Sequence, residues 1–138
     1  MNQSANYFIA KSEPSSYSID DLQNETVTVW DGVKNYQAIN VIKSWKIGDL
    51  VFFYRSVTNP AIVGLMKVIT FPIKDENDSR GISWHAKLEF VEKFNNEISL
   101  KAIKSNPQFS DLPLVRQSRL STMACHSNLV KYILQNKD

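Results

Sequence analysis

The chain has few of the residues that form disulfides, metal sites or membrane helices. Its 138 residues include 1 Cys, 2 His, 4 Gly and 5 Pro. A single cysteine excludes an internal disulfide, and Cys125 with two histidines is too small a set for a recognisable zinc site. No apolar run approaches the roughly 20 residues of a membrane helix, and the N-terminus lacks the pattern of a signal peptide. We therefore expect a soluble protein without a membrane partner, cytoplasmic or, in a eukaryote, nuclear.

Motifs of catalysis and cofactor binding are also missing. The sequence contains no phosphate-binding glycine loop and no nucleophile elbow. Cys125 and His126 are adjacent, and neighbours in an extended segment point to opposite faces, so they cannot form a catalytic pair. The acidic residues Asp75, Glu76 and Asp78 are interpreted as part of a solvated loop. We expect no catalytic residue, no metal and no cofactor.

The charge balance alone does not identify a partner. The formal net charge is +2, which is too small to indicate nucleic-acid binding by itself. Arg116 and Arg119 mark one locally basic segment, although scattered cations usually serve solubility.

The hydrophobic pattern indicates a single α+β domain. About six strands alternate with three or four short helices, which is typical of a small curved mixed sheet or open barrel. Two segments, 49–57 and 61–72, are apolar on both faces and are predicted to be central strands. Ser18 is predicted to cap a short helix. A half-buried strand over 83–94 is predicted to end in a turn at Asn95 and Asn96.

Two further helices are predicted from their apolar stripes. The first carries Ala38, Val41, Ile42 and Trp45 and is predicted to end at Gly48. The last is predicted to be capped by Ser127, and its stripe comprises Leu129, Val130, Ile133 and Leu134. The segment before it, from residue 112 to residue 124, is predicted to be irregular and then extended.

Three tryptophans call for different interpretations. Trp45 lies on a helix stripe and is predicted to be in the core. Trp30 directly precedes an Asp-Gly turn within the stretch VWDGVKNYQA, so it either plugs the core or stacks on a flat ligand. Trp84 shares the parity of Leu88 and Phe90, which favours the core, yet its place beside a polar loop would also suit a pocket mouth.

Several strings, in this order, closely resemble the EVE domain. They are YFIAKSEPSSYSIDDL, VWDGVKNYQAINVIKSWKIGDLVFFYRS, AIVGLMKV, FVEKF and LPLVRQSRLS. The resemblance covers residues 6–134, so residues 1–138 are interpreted as one EVE domain. EVE domains belong to the PUA-like superfamily together with the YTH and ASCH domains. The resemblance implies a PUA-like curved sheet, an open barrel with helices around it, and a pocket for a modified nucleobase.

The resemblance also implies a set of binding residues. Trp30 and Trp84 would form an aromatic cage, with Tyr36 or Gln37 close by. Ser12 and Glu13 would read a base edge, and Arg116 and Arg119 would meet phosphates. The expected ligand-binding residues are Lys11, Ser12, Glu13, Trp30, Asp31, Val33, Tyr36, Gln37, Tyr54, Trp84, Arg116 and Arg119.

The function that this resemblance implies is a non-enzymatic reader of a modified base, most simply a modified cytosine in DNA. Two alternatives stay open. One is an RNA-binding module, which would depend on the 2′-hydroxyl. The other is an enzyme that acts on modified nucleic acid. The expected partner is nucleic acid that contains a modified base, and the expected state is a monomer. Whether a nuclease acts with the protein is left open.

Overall fold

A curved sheet with short helices around it forms the molecule. This computed structural model describes residues 6–138. The strands are β1 (Tyr7–Ser12), β2 (Val27–Trp30), β3 (Leu50–Arg55), β4 (Ala61–Val68), β5 (Ile73–Lys74), β6 (Trp84–Ser99) and β7 (Thr122–Ala124). The helices are α1 (Ile19–Glu25), α2 (Tyr36–Ser44), α3 (Leu100–Lys104), α4 (Pro113–Arg116) and α5 (Ser127–Asn136). A 3₁₀ turn spans Pro107–Phe109.

The sheet is mixed and has the strand order β2-β6-β4-β3-β1-β7, with β5 paired to β6 outside this path. β1 and β3 run parallel, and the other neighbouring strands run antiparallel. The register between β3 and β4 shifts once, and the register between β4 and β6 shifts twice. Such irregularities bend a strand and increase its twist, and the sheet curls into a half-barrel. The predicted α+β class and curved mixed sheet are confirmed.

The two central strands are those that the sequence predicts. β3 and β4 lie next to each other in the middle of the strand order. Residues 51–54 of β3 are all buried, and in β4 only Lys67 is not fully buried. Strands covered on both faces need apolar residues at successive positions, which is why both segments lack the alternation of a half-exposed strand.

α1 packs against β4 at a point where a side chain would clash. Ser18 caps the helix as predicted, because its side chain accepts from the Asp21 N–H while Asp21 accepts from the Ser18 N–H. A Cβ placed on Gly64 would lie 2.6 Å from Ile19 Cδ1 and 2.7 Å from the Glu92 carbonyl oxygen. Glycine therefore allows the helix to approach the sheet directly.

The buried face of α2 differs in part from the predicted stripe. Ala38, Ile42 and Trp45 are buried as expected, which confirms Trp45 as a core residue. Ile39 is also buried, whereas Val41 is only partly buried. Three of the four predicted residues are thus on the buried face, which includes Ile39 in place of Val41.

α2 also ends earlier than predicted. Its last residue is Ser44, with Trp45 as the C-cap, so the prediction that Gly48 ends the helix is wrong. Gly48 adopts a φ of +96° in the turn that leads into β3. Its N–H donates to the Val68 carbonyl at 2.8 Å, which ties this turn to the end of β4.

β6 continues through Asn95 and Asn96, so the turn predicted there is wrong. Its last residues pair with the start of β4, and Ser99 faces Ala61. The Asn96 N–H donates to the Lys137 carbonyl at 2.9 Å. The pairing of the neighbouring residues Lys93 and Ile98 with β4 and the hydrogen bond to Lys137 keep this segment extended, against the local turn preference of asparagine.

The C-terminal part contains a helix where an irregular segment is predicted. α4 begins at Pro113, which suits the first turn of a helix. The N-cap of α5 is His126, whose Nδ1 accepts from the Asn128 N–H at 3.1 Å, so the predicted cap at Ser127 is one residue late. Leu134 is 37% exposed and lies outside the buried stripe. Within residues 6–138, no helix has the length and apolar character to cross a membrane.

Candidate functional site

A cavity of about 640 Å³ lies where the carboxyl ends of β1 and β2 meet. In the sheet these strands are separated by β6, β4 and β3, so the curvature of the sheet brings their ends together. The lining residues come from segment 11–17, from segment 28–35 and from Arg119 and Ser121. The volume is within the roughly 300–1,000 Å³ that is typical of small-molecule sites. We call this space the strand-end cavity.

Trp30, the last residue of β2, forms part of the wall. Its side chain is 8% exposed, so most of the indole is packed. The ring meets Phe53 edge-on, with centroids 5.8 Å apart and an interplanar angle of 88°. Two residues later Gly32 adopts a φ of +71°, which glycine accepts readily, and the chain turns away from the strand. Trp30 thus combines the two alternatives that the sequence leaves open, because it packs in the core and also lines the cavity.

Tyr17 also lines the strand-end cavity, although the sequence analysis does not single it out. The Tyr17 N–H donates to the Glu13 carbonyl at 2.9 Å, and the Ser12 hydroxyl donates to the Tyr17 carbonyl at 2.6 Å. Its ring lies 6.5 Å from that of Phe53. Burial is the main cause of a raised pKa for Tyr17, to which the neighbouring Glu25 adds. The phenol is therefore neutral at pH 7 and donates its hydrogen to the Glu25 carboxylate at 3.2 Å.

The rim of the cavity carries both signs of charge. Lys11, Lys34 and Arg119 supply cations, and Glu13 and Asp31 supply carboxylates. Within residues 6–138, none of these three cations forms an ion pair. Their charge is therefore available to an anionic ligand.

Lys11 is held at the cavity by uncharged groups. Its Nζ donates to the Ser118 carbonyl at 3.1 Å and lies 5.4 Å from the centroid of the Tyr54 ring. Burial lowers the pKa of Lys11 from its usual value. A partly desolvated ammonium without a carboxylate partner gains more from an approaching anion than a fully solvated one does.

The loop between β5 and β6 fixes one side of the cavity. The Ser83 hydroxyl donates to the Val33 carbonyl at 2.8 Å, and this bond is buried. The Arg80 guanidinium donates to the Lys34 carbonyl at 2.9 Å. Both acceptors belong to the loop that follows Trp30, so the β5–β6 loop holds that loop in position.

This loop is more ordered than the sequence suggests. The Asp78 carboxylate accepts from the N–H groups of Ser83 at 2.8 Å and Ile82 at 3.1 Å, and these bonds lower the pKa of Asp78. Asp75 is 9% exposed and accepts from the Asn77 N–H at 2.9 Å. The loop is exposed at most of its positions, as expected of a solvated loop, and both carboxylates also satisfy backbone donors within it.

The structure brings most of the expected binding residues together. The ones that line the strand-end cavity are Lys11, Ser12, Glu13, Trp30, Asp31, Val33 and Arg119. Further lining residues, which the sequence analysis does not select, include Ser16, Tyr17, Thr28, Val29, Lys34 and Asn35. Val29, Lys34 and Asn35 are each next to a selected residue in the sequence. The signal for Tyr17 is its place directly before the cap Ser18, where a residue lies outside the helix.

Two expected residues lie outside the cavity at the start of α2. Tyr36 is the first residue of the helix and is 69% exposed, and Gln37 follows it. The Asn35 side chain caps the helix by accepting from the Ala38 N–H at 3.1 Å, and this cap determines where the two side chains lie. Their part in binding stays a prediction.

The other three expected residues outside the cavity have contacts of their own. Trp84 begins β6, and the Lys43 ammonium lies 5.2 Å from the centroid of its ring. Tyr54 is 3% exposed in β3. Arg116 donates to the Asp111 carboxylate at 3.0 Å and to the Ser110 carbonyl at 2.9 Å. A role in ligand binding stays a prediction for each of them.

Cys125 does not have the environment of a nucleophile. Burial raises the pKa of its thiol to about 12, so the reactive thiolate is scarce at neutral pH. In the part of the chain that the structure describes, no three His, Cys, Asp or Glu side chains come together in a way that could hold a metal ion.

Comparison with known proteins identifies the family. The family profile described as EVE domain matches residues 6–136. The chain belongs to the EVE domain family. Human thymocyte nuclear protein 1 is 33% identical to this EVE domain over 129 residues, which cover 83% of this chain and 52% of the human protein. The rat protein of the same name is 46% identical over 77 residues, which cover 47% of this chain and 34% of the rat protein.

Solved structures show the same fold. A hypothetical protein from Leishmania major has a TM-score of 0.87 with this EVE domain at 28% identity, and the match covers 96% of this chain and 94% of that chain. A complex of the human THYN1 protein with DNA containing 5-methylcytosine has a TM-score of 0.86 at 26% identity, covering 95% and 96% of the two chains.

A more distant structural neighbour shares only the fold. It is a YTH domain from Zygosaccharomyces rouxii in complex with N6-methyladenosine RNA, with a TM-score of 0.56 at 12% identity, and the match covers 95% of this chain and 85% of that chain. The predicted PUA-like fold is confirmed.

Proposed function

We propose that this EVE domain binds nucleic acid and reads a modified base, in the first instance a modified cytosine in DNA, without catalysing a reaction. The observation that carries the proposal is the strand-end cavity, where Trp30 and Tyr17 offer aromatic surface beside the cations Lys11 and Arg119. A relative of the same fold, the human THYN1 protein, has been solved with DNA containing 5-methylcytosine.

The cavity suits a base that has left the helical stack. Extruding a base from a duplex costs a few kcal/mol, which contacts in a pocket must offset. Stacking on an aromatic side chain contributes about 1–3 kcal/mol per base. Trp30 and Tyr17 both pack on Phe53, so their rings are held in place before the ligand arrives. Preorganised surfaces of this kind lower the ordering cost of binding.

The polar groups of the cavity match the edge of a cytosine. The amino group of cytosine is a donor, and it needs an acceptor in the pocket. The Ser12 hydroxyl already donates its hydrogen to the Tyr17 carbonyl, so its oxygen is left as an acceptor. The carboxylates of Glu13 and Asp31 are acceptors too, and the apolar side chain of Val33 can contact a methyl group.

The cations would contribute to binding in a different way from the groups that recognise the base. Arg119 lines the cavity and forms no ion pair within the described residues. A phosphate contact from Arg119 would add affinity for modified and unmodified DNA alike, and it would make binding depend on salt. Discrimination between the two DNAs would come from Val33 and the aromatic wall, which can contact the methyl group, whereas Ser12 would accept from an amino group that both bases carry. The monomeric state, the compartment and any partner nuclease stay predictions.

A binding titration with matched oligonucleotides tests the proposal. Fluorescence anisotropy would compare DNAs of one sequence in which a single cytosine is unmodified or 5-methylated, together with the RNA of the same sequence. We expect tighter binding of the methylated DNA. Equal affinity for both DNAs would contradict the reader function, and a preference for RNA would favour the RNA-binding alternative. Incubation with the methylated DNA followed by product analysis should leave the DNA unchanged, and any turnover would favour the enzyme alternative.

A further inference from the structure

A second cavity, of about 750 Å³, lies beside α3. We call it the α3 cavity. Its cations are Lys101 and Lys104, both exposed on the helix, and Arg55. Arg55 donates through both terminal nitrogens to the carboxylate of Glu97, at 2.7 and 2.6 Å. The single acidic residue among the lining residues is therefore already neutralised, while the two lysines form no ion pair within residues 6–138.

A smaller space of about 200 Å³ shares lining residues with this cavity and with the strand-end cavity. We call it the connecting groove. Lys11 lines both the strand-end cavity and the groove. Lys104, Pro60 and Leu100 line both the groove and the α3 cavity. The three spaces therefore lie side by side and share lining side chains, and we call them together the depression.

Beyond the strand-end cavity, the unpaired charged side chains that line this depression are all positive among the described residues. The groove is lined by Lys11 and Lys104 and by no acidic side chain among the residues that the structure describes. Lys101 follows in the α3 cavity. An unbroken row of unpaired lysines along a shallow channel is complementary to a polyanion, and the apolar Pro60 and Leu100 between them offer surface to uncharged sugars.

The length of the depression can be read from the strand register. Ser12 faces Arg55, Arg55 faces Ala61, and Ala61 faces Ser99. Ser12 lines the strand-end cavity and Ser99 lines the α3 cavity. Neighbouring strands are about 4.8 Å apart, so these three steps span about 14 Å. A DNA strand rises about 3.4 Å per nucleotide, so this distance corresponds to roughly four nucleotides.

We infer that the connecting groove and the α3 cavity bind the phosphate backbone of the same DNA, on one side of the modified base and up to roughly four nucleotides from it. The position of the base in this inference rests on the function proposed above. Lys11 takes the phosphate nearest the base, and Lys104 and Lys101 take phosphates further along. The protein then recognises one base and binds the phosphate backbone on one side of that base.

Salt dependence of DNA binding tests this inference. The variant K101Q/K104Q would be compared with K87Q/K131Q, which removes two exposed, unpaired lysines outside all these cavities. Each phosphate contact contributes about 0.9 to the slope of log K against log salt. We expect K101Q/K104Q to lower the slope by about 2 and K87Q/K131Q to leave it unchanged. The ratio of affinities for methylated and unmethylated DNA should stay the same in both.

Shortened DNA locates the contact. Two duplexes would each retain only about two base pairs on one side of the modified base, shorter than the span derived above. With one of them, wild type and K101Q/K104Q should have equal slopes; with the other, the difference should persist. K101R/K104R, which keeps both charges, should restore the wild-type slope and controls for damage to α3.

The outcomes separate this inference from the proposed function. Equal slopes for K101Q/K104Q and K87Q/K131Q would overturn the backbone contact, whatever base is preferred. If the wild-type protein shows no preference for methylated DNA and K101Q/K104Q still lowers the salt slope, the reader function is overturned. The backbone contact at α3 would then still stand. Absence of binding to every DNA would contradict both.

Discussion

Replacing Trp30 by alanine tests whether the strand-end cavity binds a base, because Trp45 provides a matched control. The two indoles are 8% and 2% exposed, so both are mostly packed. Each meets a phenylalanine edge-on: Trp30 lies 5.8 Å from Phe53, and Trp45 lies 6.2 Å from Phe8. Trp30 lines the cavity, whereas Trp45 lies under α2 and lines none of the cavities described above.

The two substitutions should cost similar stability and differ in binding. Truncating a packed Trp to Ala lowers the free energy of unfolding by about 3–5 kcal/mol. Among residues 6–138, the buried Trp45 Nε1 has no hydrogen-bond partner, and such a group already destabilises the native state by about 1–3 kcal/mol. Because Trp45→Ala also removes this unsatisfied group, the resulting loss of stability should lie at the lower end of the 3–5 kcal/mol range, at about 3 kcal/mol. Only Trp30→Ala should also lose about 1–3 kcal/mol of binding free energy, which is roughly 5- to 150-fold in Kd.

Two measurements on the same samples are needed. Urea unfolding gives the change in stability, and anisotropy with methylated DNA gives Kd under conditions in which both variants are at least mostly folded. If either alanine variant does not fold, Trp30→Phe and Trp45→Phe keep more of the packing and preserve the comparison. Equal losses of affinity in the two variants, at equal folded fraction, would refute a binding role for Trp30.

Three further outcomes are expected elsewhere in the molecule. Ser83→Ala should lower the free energy of unfolding by about 1–3 kcal/mol, because the buried Val33 carbonyl loses its donor, and it should reduce methylated-DNA affinity without changing the salt slope; an altered slope would contradict a positioning role. Gly64→Ala should lower stability by about 1–3 kcal/mol through overpacking, and Ile19→Val should relieve part of this loss; full stability in Gly64→Ala would contradict the close approach of α1. The thiol of Cys125, with a pKa of about 12, should resist alkylation at pH 8 in the folded protein and react in urea. Because this pKa is raised on folding, its contribution to stability is complete below the unfolded pKa and is lost as the pH rises towards the folded value; fast alkylation without denaturant would show that the thiol is accessible.

Local patterns predicted the central strands and the Ser18 cap well and the other ends of elements less well. Ser18 caps α1 because a hydroxyl followed by an acid three positions later satisfies two backbone donors within one turn. That interaction needs no distant residue, so it can be predicted from the sequence. The turn predicted at Asn95 and Asn96 failed for the opposite reason: β4 pairs with the residues on either side of them, and the Lys137 carbonyl accepts from the Asn96 N–H, so distant residues keep this segment extended.

The sequence by itself determined the curved α+β sheet, its central strands, the burial of Trp45 and the two loops that carry most of the expected site, because these follow from local periodicity, turn residues and the motif shared with EVE domains. Only the tertiary structure decided which side chains share one cavity. Lys11 and Trp30 are on strands that three other strands separate in the sheet, and their meeting depends on how strongly register shifts curl it. Tyr36 and Trp84 lie outside the cavity that Tyr17 lines, at the start of α2 and at the start of β6. Curvature is the sum of small twists along many strands, and no single stretch of sequence contains it.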